Sequence, residues 1–299
     1  MVDGRTIIRD YFDRVLERDP RVFIVGEDVG KLGGVNLEFE DLQDKHGELR
    51  VTDTGIREAS ILGQGLGAAM RGLKPIVDIQ YLDYLIYCLQ GMTDDMATLH
   101  YRTKGGQSVP CIVRTKGHRL EGIWHTGSPI SMLLGSLRGV HLCVPRNAVQ
   151  ACGMYETLFQ INDPALVIEV LNGYRLKEKK PDNLGTYTIE LGVPETLEEG
   201  SDITVVTYGA CIRIAKEASK RLKKLGISVE LIDVQTLLPF DKYHKIGESV
   251  SKTHAIIFMD EDVPGGASSY MMREVLETQN AHEYLDAKPR TLTAAENRS

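Results

Sequence analysis

Short, almost wholly apolar runs recur along this 299-residue chain, each followed by a stretch with helical spacing, and this rhythm restricts the fold more than any other feature. The runs are Val22-Phe23-Ile24-Val25, Lys74 to Ile79, Val109 to Arg114, Val140 to Val144 and Ala165 to Glu169. Strands without polar alternation are buried on both faces, which requires a mostly parallel sheet covered by helices. The helical stretches are Thr6 to Arg18, Ala59 to Arg71, Tyr84 to Tyr101 and Ala148 to Gln160. The fold class is therefore α/β. A charged, turn-rich segment, Lys177-Glu178-Lys179-Lys180-Pro181-Asp182, predicts a linker and two domains, residues 1–185 and 186–299. The rhythm restarts in the second with strands at Asp202 to Tyr208, Ser228 to Asp233 and Ala255 to Met259. Its helices are Ile212 to Leu225, Lys242 to Ser251 and Ser268 to Glu277, and the polar tail from Thr291 to Ser299 predicts no closing element.

Charge and composition remove several functions. A net charge of -7 argues against nucleic acid as the main partner. No run of about eighteen apolar residues predicts a membrane span, and no basic amphipathic stretch predicts a membrane surface. Met1-Val2-Asp3-Gly4-Arg5 carries no apolar signal core. Cys88, Cys111, Cys143, Cys152 and Cys211 lack metal-ligand spacing and lie mostly in apolar runs. They read as reduced, buried thiols of a cytoplasmic compartment.

The chemistry-bearing residues gather in a few blocks. Glu58 ends Asp53-Thr54-Gly55-Ile56-Arg57-Glu58, immediately before a run of small and apolar residues. A first-turn acid commonly complements a helix dipole, and the neighbouring blocks argue for more than that here. Gly63-Gln64-Gly65-Leu66-Gly67 is spaced G-x-G-x-G and does not follow directly on an apolar strand, so it fails as a dinucleotide fingerprint. Close helix packing or close approach of a ligand explains it better. Asp78-Ile79-Gln80-Tyr81-Leu82-Asp83-Tyr84 lies where a strand gives way to a helix, the usual place for a site in an open α/β sheet. One of its tyrosines suits the core, and the other suits the face of a heteroaromatic ring. His125 stands beside Trp124 in a loop of small residues, a setting in which acid–base groups are mounted. His118 is a weaker rival and His100 is structural, while Ser128 lacks the turn of a hydrolase nucleophile.

Taken in order, these blocks resemble the beta subunit of the thiamine-diphosphate-dependent 2-oxoacid dehydrogenases of the pyruvate and branched-chain types. The likeness runs through Phe23-Ile24-Val25-Gly26-Glu27-Asp28-Val29-Gly30, the Asp53 to Glu58 turn, Gly63 to Gly72, Asp78 to Tyr84, His125, and Asp202 to Gly209. It implies a pyrimidine-binding domain followed by a transketolase C-terminal-like domain. It also implies that Glu58 grips the aminopyrimidine ring nitrogen and favours the tautomer that activates the cofactor. Tyr84 then packs on the pyrimidine, with Gln80 and Ile56 nearby and Glu27 in a carboxylate network behind. His125 faces the substrate as acid–base group, and a potassium ion takes the backbone carbonyls of Leu158, Ile161 and Asp163. No Gly-Asp-Gly occurs here, so the diphosphate and its magnesium fall to an alpha partner. The further partners implied are a second beta chain and a lipoyl acyltransferase core. The Tyr84 to Leu99 helix suits an obligate interface.

Three departures stand out. The loop before His125 is about two residues shorter than usual, which leaves substrate preference open. Arg57 replaces the small or apolar residue usual before the key acid, either to pair with Glu121 or to face solvent. The C-terminus reads as shortened, either trimmed or cut from a fused alpha–beta polypeptide. Two rivals remain: a split transketolase or sugar-phosphate synthase, for which few basic residues are present, and a non-catalytic regulatory subunit, against which Glu58, Tyr84 and His125 speak.

Overall fold

The structure, a computed structural model, describes residues 1–117 and 125–295. Its strands are β1 (Val2–Asp3), β2 (Val22–Gly26), β3 (Val51–Asp53), β4 (Lys74–Ile79), β5 (Ile112–Gly117), β6 (His141–Cys143), β7 (Ala165–Val170) and β8 (Lys177–Glu178). The second half adds β9 (Glu195–Glu198), β10 (Ile203–Thr207), β11 (Val229–Asp233), β12 (Thr236–Leu238), β13 (Ile256–Met259) and β14 (Arg290–Leu292).

Seven strands form the first sheet in the order β12-β6-β7-β5-β4-β2-β3. All its pairings are parallel except β12 on β6. The second sheet runs β14-β13-β10-β11-β9, antiparallel only where β9 meets β11. β1 and β8 pair by themselves. The apolar strands are inside as expected, with Ile24, Val25, Ile76, Val77, Val113, Leu166 and Ile168 all buried. All five cysteines are free and buried. Among the described residues no helix is long and apolar enough to cross a membrane.

Helices cover both faces of the first sheet. Gly4–Arg18 and Ala148–Gln160 pack on one, and Glu58–Met70 on the other. The Glu58–Met70 helix buries Ile61, Leu62, Gly65, Leu66 and Ala69, following the 3.6-residue period. Each large apolar side chain so buried contributes about 1.5–3 kcal/mol. A Cβ on Gly65 would lie 2.2 Å from Val77 Cγ2, so a glycine lets this helix rest directly on β4. Gly63 and Gly67 lie on the open flank of the same helix.

Four local expectations change. The stretch from Tyr84 to Tyr101 is not one helix. Leu82–Tyr87 is 3-10, Gly91–Met96 is a π turn, and Leu99–Arg102 is a short α segment. Gly91 lies against Leu62, where a Cβ would come 3.0 Å from Leu62 Cδ2, and the widened turn sends both Met92 and Met96 inward. The strand expected at Val109 to Arg114 begins three residues later, at Ile112. β14 closes the second sheet through parallel pairing with β13, although the sequence around it predicts no element. β12 leaves the second half of the chain and pairs with the first sheet.

Candidate active site

The first sheet reverses its winding between β2 and β4. The chain places β3 on one side of β2 and then β4 and β5 on the other. A crevice opens at such a point beyond the carboxyl ends of the strands. Register aligns Gly26 with both Asp53 and Asp78, so β2 and β3 end level there and β4 runs one residue further. Glu27 follows β2, the Asp53–Glu58 turn follows β3, and Gln80 follows β4.

Each part of this rim is held locally. The Asp53 carboxylate accepts the Gly30 N–H at 2.6 Å and the Lys31 N–H at 3.0 Å, which pins the loop after β2. Gln80 Nε2 donates to Asp28 Oδ2 at 3.3 Å. Glu58 is the first residue of its helix and is half-buried, while Ile56 is 77% exposed. Nothing crowds the open position at Gly55, and the Thr54 hydroxyl is buried with no hydrogen-bond partner. Burial raises the pKa of Glu27, and the charges of Asp28, Glu58 and Asp78 raise it further. The Glu58 charge also acts on Tyr84 and Cys88, adding to the upward push of burial on both; the Cys88 thiol reaches about 12. Glu58 thus stands within electrostatic reach of Glu27, Tyr84 and Cys88.

The opposite wall is aromatic. His125 stacks on Tyr81 with ring centroids 3.7 Å apart and planes 5° from parallel. Tyr84 meets His125 edge-on at 5.2 Å and 89°, and Tyr81 edge-on at 5.7 Å and 88°. One face of Tyr81 is therefore occupied by the imidazole. His125 Nδ1 lies 3.3 Å from both carboxylate oxygens of Asp83. The His125 backbone is left-handed, with φ +55°, a conformation that a non-glycine residue adopts at some cost.

Beneath the crevice lies a buried ion network. Arg114 donates to Asp78 at 2.5 Å, to both Glu169 oxygens at 3.0 and 2.9 Å, and to the Tyr174 hydroxyl at 2.7 Å. The Lys116 ammonium reaches Asp78 at 2.7 Å and Glu38 at 2.9 Å. Burial opposes ionisation of Glu38, but Lys116 and Arg114 outweigh it and hold the carboxyl down at about 2. Glu38 belongs to the loop after β2, so the network fastens that loop to β4 and β5 under the site.

The structure brings Glu27, Gln80, Tyr84 and His125 to one crevice, with Glu58 and the exposed Ile56 on its rim. Leu158, Ile161 and Asp163 lie elsewhere, before the amino end of β7, an interior strand, and so away from the carboxyl ends that form the crevice. There the Leu158 carbonyl accepts the Ile161 N–H at 3.4 Å, Asp163 lies 3.5 Å from His141 Nε2, and the Lys74 ammonium donates to the Phe159 carbonyl. His100 is exposed and bonds to the Gln107 carbonyl. Ser128 is buried with its hydroxyl unpartnered. His118, Glu121 and Trp124 lie outside the described residues, and with Glu121 goes the pairing considered for Arg57. Among the described residues no cluster of His, Cys, Asp or Glu is arranged for a metal ion.

Sequence reasoning passed over Asp83, Arg114, Lys116 and Glu38. A signal for two of them was available. Arg114 and Lys116 stand two residues apart after the apolar Ile112 and Val113, so both charges point to one face of a strand that begins in the core and demand buried acids.

Comparison with known proteins agrees with this geometry. Residues 1–175 match the transketolase pyrimidine-binding domain and residues 192–297 the transketolase C-terminal domain. The 2-oxoisovalerate dehydrogenase subunit beta of Bacillus subtilis (strain 168) is 34% identical over 91% of this chain and 82% of its own length. The pyruvate dehydrogenase E1 component subunit beta of Acholeplasma laidlawii is 32% identical over 94% of this chain and 86% of its own. A solved split-gene transketolase, described as an inactive beta4 tetramer, superimposes with a TM-score of 0.76 over 99% of this chain and 90% of its own. At 18% identity that likeness is one of fold. Two transketolase-type domains in sequence, with relatives of this kind along nearly the whole length, place the chain in the family of 2-oxoacid dehydrogenase beta subunits.

Proposed function

We propose that this chain forms the pyrimidine-holding half of a thiamine diphosphate site and, with an alpha partner, decarboxylates a 2-oxoacid and passes the acyl group to a lipoyl acceptor. The observation that carries this is the convergence of Glu27, Glu58, Gln80, Tyr84 and His125 on the crevice between β2 and β4. The donor set suits an aminopyrimidine. A carboxyl group, an amide, an orphaned Thr54 hydroxyl and an aromatic wall offer one partner for each ring feature. Ile56 on the rim is 77% exposed, which leaves apolar surface for a partner to cover.

When bound, thiamine diphosphate supplies the carbon nucleophile. The Glu58 carboxyl would hold the hydrogen bond to the pyrimidine nitrogen. Glu27, whose carboxyl is raised by burial and by its acidic neighbours, takes a proton more readily and relieves like-charge repulsion beside Glu58. Tyr84 would pack against the ring, since one face of Tyr81 already carries His125. Ile56 gains apolar cover from ligand and partner. His125 holds or moves a proton at the substrate. The alpha partner holds the diphosphate and magnesium, and a second beta chain and an acyltransferase core complete the assembly. The carbonyls of Leu158, Ile161 and Asp163 suit potassium poorly, since a fixed ammonium already sits on the adjacent Phe159 carbonyl.

The test is Glu58→Ala in the assembly with an alpha partner. Thiamine diphosphate affinity and 2-oxoacid decarboxylation should both fall, decarboxylation by at least about a hundredfold, while the fold persists. Full activity in that variant removes Glu58 from the proposal. Titrating the cofactor with this chain alone and with the partner tests the shared site; equal affinity in both cases contradicts it.

A further inference from the structure

We propose that Asp83 is the positioning residue of His125, fixing which ring nitrogen carries hydrogen and therefore which nitrogen faces the substrate. This rests on the reading of His125 given above. Both Asp83 oxygens lie 3.3 Å from Nδ1. A carboxylate only accepts hydrogen bonds, so Nδ1 must carry the hydrogen and donate it. Nε2, on the far side of the ring, is then the nitrogen that gives or takes a proton.

Three contacts restrain the imidazole from three directions. Tyr81 covers one face at 3.7 Å, Tyr84 stands perpendicular at 5.2 Å, and Asp83 holds Nδ1. All three residues lie between positions 81 and 84, so one short element orients the ring. The Gly127 backbone closes over Asp83 as well, since a Cβ there would lie 3.5 Å from the Asp83 Cβ. The His125 and Asp83 side chains keep 23% and 36% of their exposure, so the ion pair itself contributes little energy. Its value is orientation. A flipped ring would present Nδ1 to the substrate and Nε2 to the carboxylate.

The experiment compares wild type with Asp83→Asn and Asp83→Glu, each assembled with an alpha partner and labelled with ¹⁵N-histidine. His125→Gln assigns the signal. Long-range ¹⁵N–¹H correlation should show the Nδ1–H form of His125 in wild type and its loss in Asp83→Asn, whose amide can donate to the ring instead. kcat should fall about ten- to a hundredfold with KM and cofactor affinity nearly constant, and Asp83→Glu should recover part of it. An unchanged tautomer together with unchanged kcat in Asp83→Asn overturns the inference. If the wild-type assembly decarboxylates no 2-oxoacid but the tautomer still responds to Asp83, the proposed function fails and the orienting role stands.

Discussion

Tyr81 and His125 lie ring upon ring, 3.7 Å between centroids and 5° from parallel, on the aromatic wall of the crevice. The pair fixes a histidine whose own backbone sits in the left-handed region. Replacing Tyr81 with Leu keeps apolar volume and removes the stack, which costs about 0.5–1.5 kcal/mol. We expect kcat of the assembled enzyme to drop several-fold in Tyr81→Leu, while Tyr81→Phe stays near wild type. Equal rates in both variants would show that the stack does not hold the imidazole.

Arg114 joins four partners in a space without water access. Removing one member of a buried ion network strands its partners, a loss of about 3–5 kcal/mol. Arg114→Met should lower the urea midpoint accordingly. Because Asp78 shares the network, the double variant with Asp78→Asn should lose less than the sum of the single changes. Strict additivity would contradict the coupling.

Asp262 follows β13 and is almost wholly buried, and burial, reinforced by Asp260 and Glu261, pushes its carboxyl up to about 6 from an ordinary 3.8. The folded state therefore binds this proton more tightly than the unfolded chain. Stability from this group is greatest below the ordinary value, falls as pH rises through that window and levels off above about 6. Asp262→Asn should be more stable than wild type at pH 7.5 by about 1–3 kcal/mol, and the gap should close near pH 4. Urea denaturation across that range checks it; a pH-independent difference would count against a buried charge.

Lys74 places its ammonium on the Phe159 carbonyl, at the negative end of the Ala148–Gln160 helix. Burial lowers its pKa, with Arg21 adding to the effect. If this lysine supplies the local positive charge, thermal unfolding of the wild type should be the same in potassium and choline chloride. Lys74→Met should lose about 1–3 kcal/mol and regain part of it specifically with potassium. A saturable potassium effect on the wild type would restore the carbonyls of Leu158, Ile161 and Asp163 as an ion site.

The architecture was readable in the sequence because buried parallel strands carry no polar alternation, and Val22 to Val25 or Ala165 to Glu169 admit few other readings. Elements shaped by tertiary contact were not readable. The π turn at Gly91–Met96 begins where Gly91 meets Leu62 of a distant helix, and β12 and β14 have three residues each, too few for a period. Glu58 and the Asp78 to Tyr84 block could be picked out from their places beside a helix start and a strand end, and Glu27 through the family resemblance. Their supports could not. Asp83 acts on a histidine 42 positions away and Glu38, in a loop, on a lysine of β5, and such pairings exist only once the sheet is assembled.

β12 carries a consequence for synthesis. The edge of the first sheet beside β6 is covered by Thr236–Leu238, which leaves the ribosome only after three strands of the second sheet. A nascent chain stopped at the domain boundary would display β6 with its backbone groups unpaired, an invitation to self-association. The two halves should therefore mature as one unit, and separate expression of the first should give aggregates that a longer chain, ending beyond Leu238, avoids.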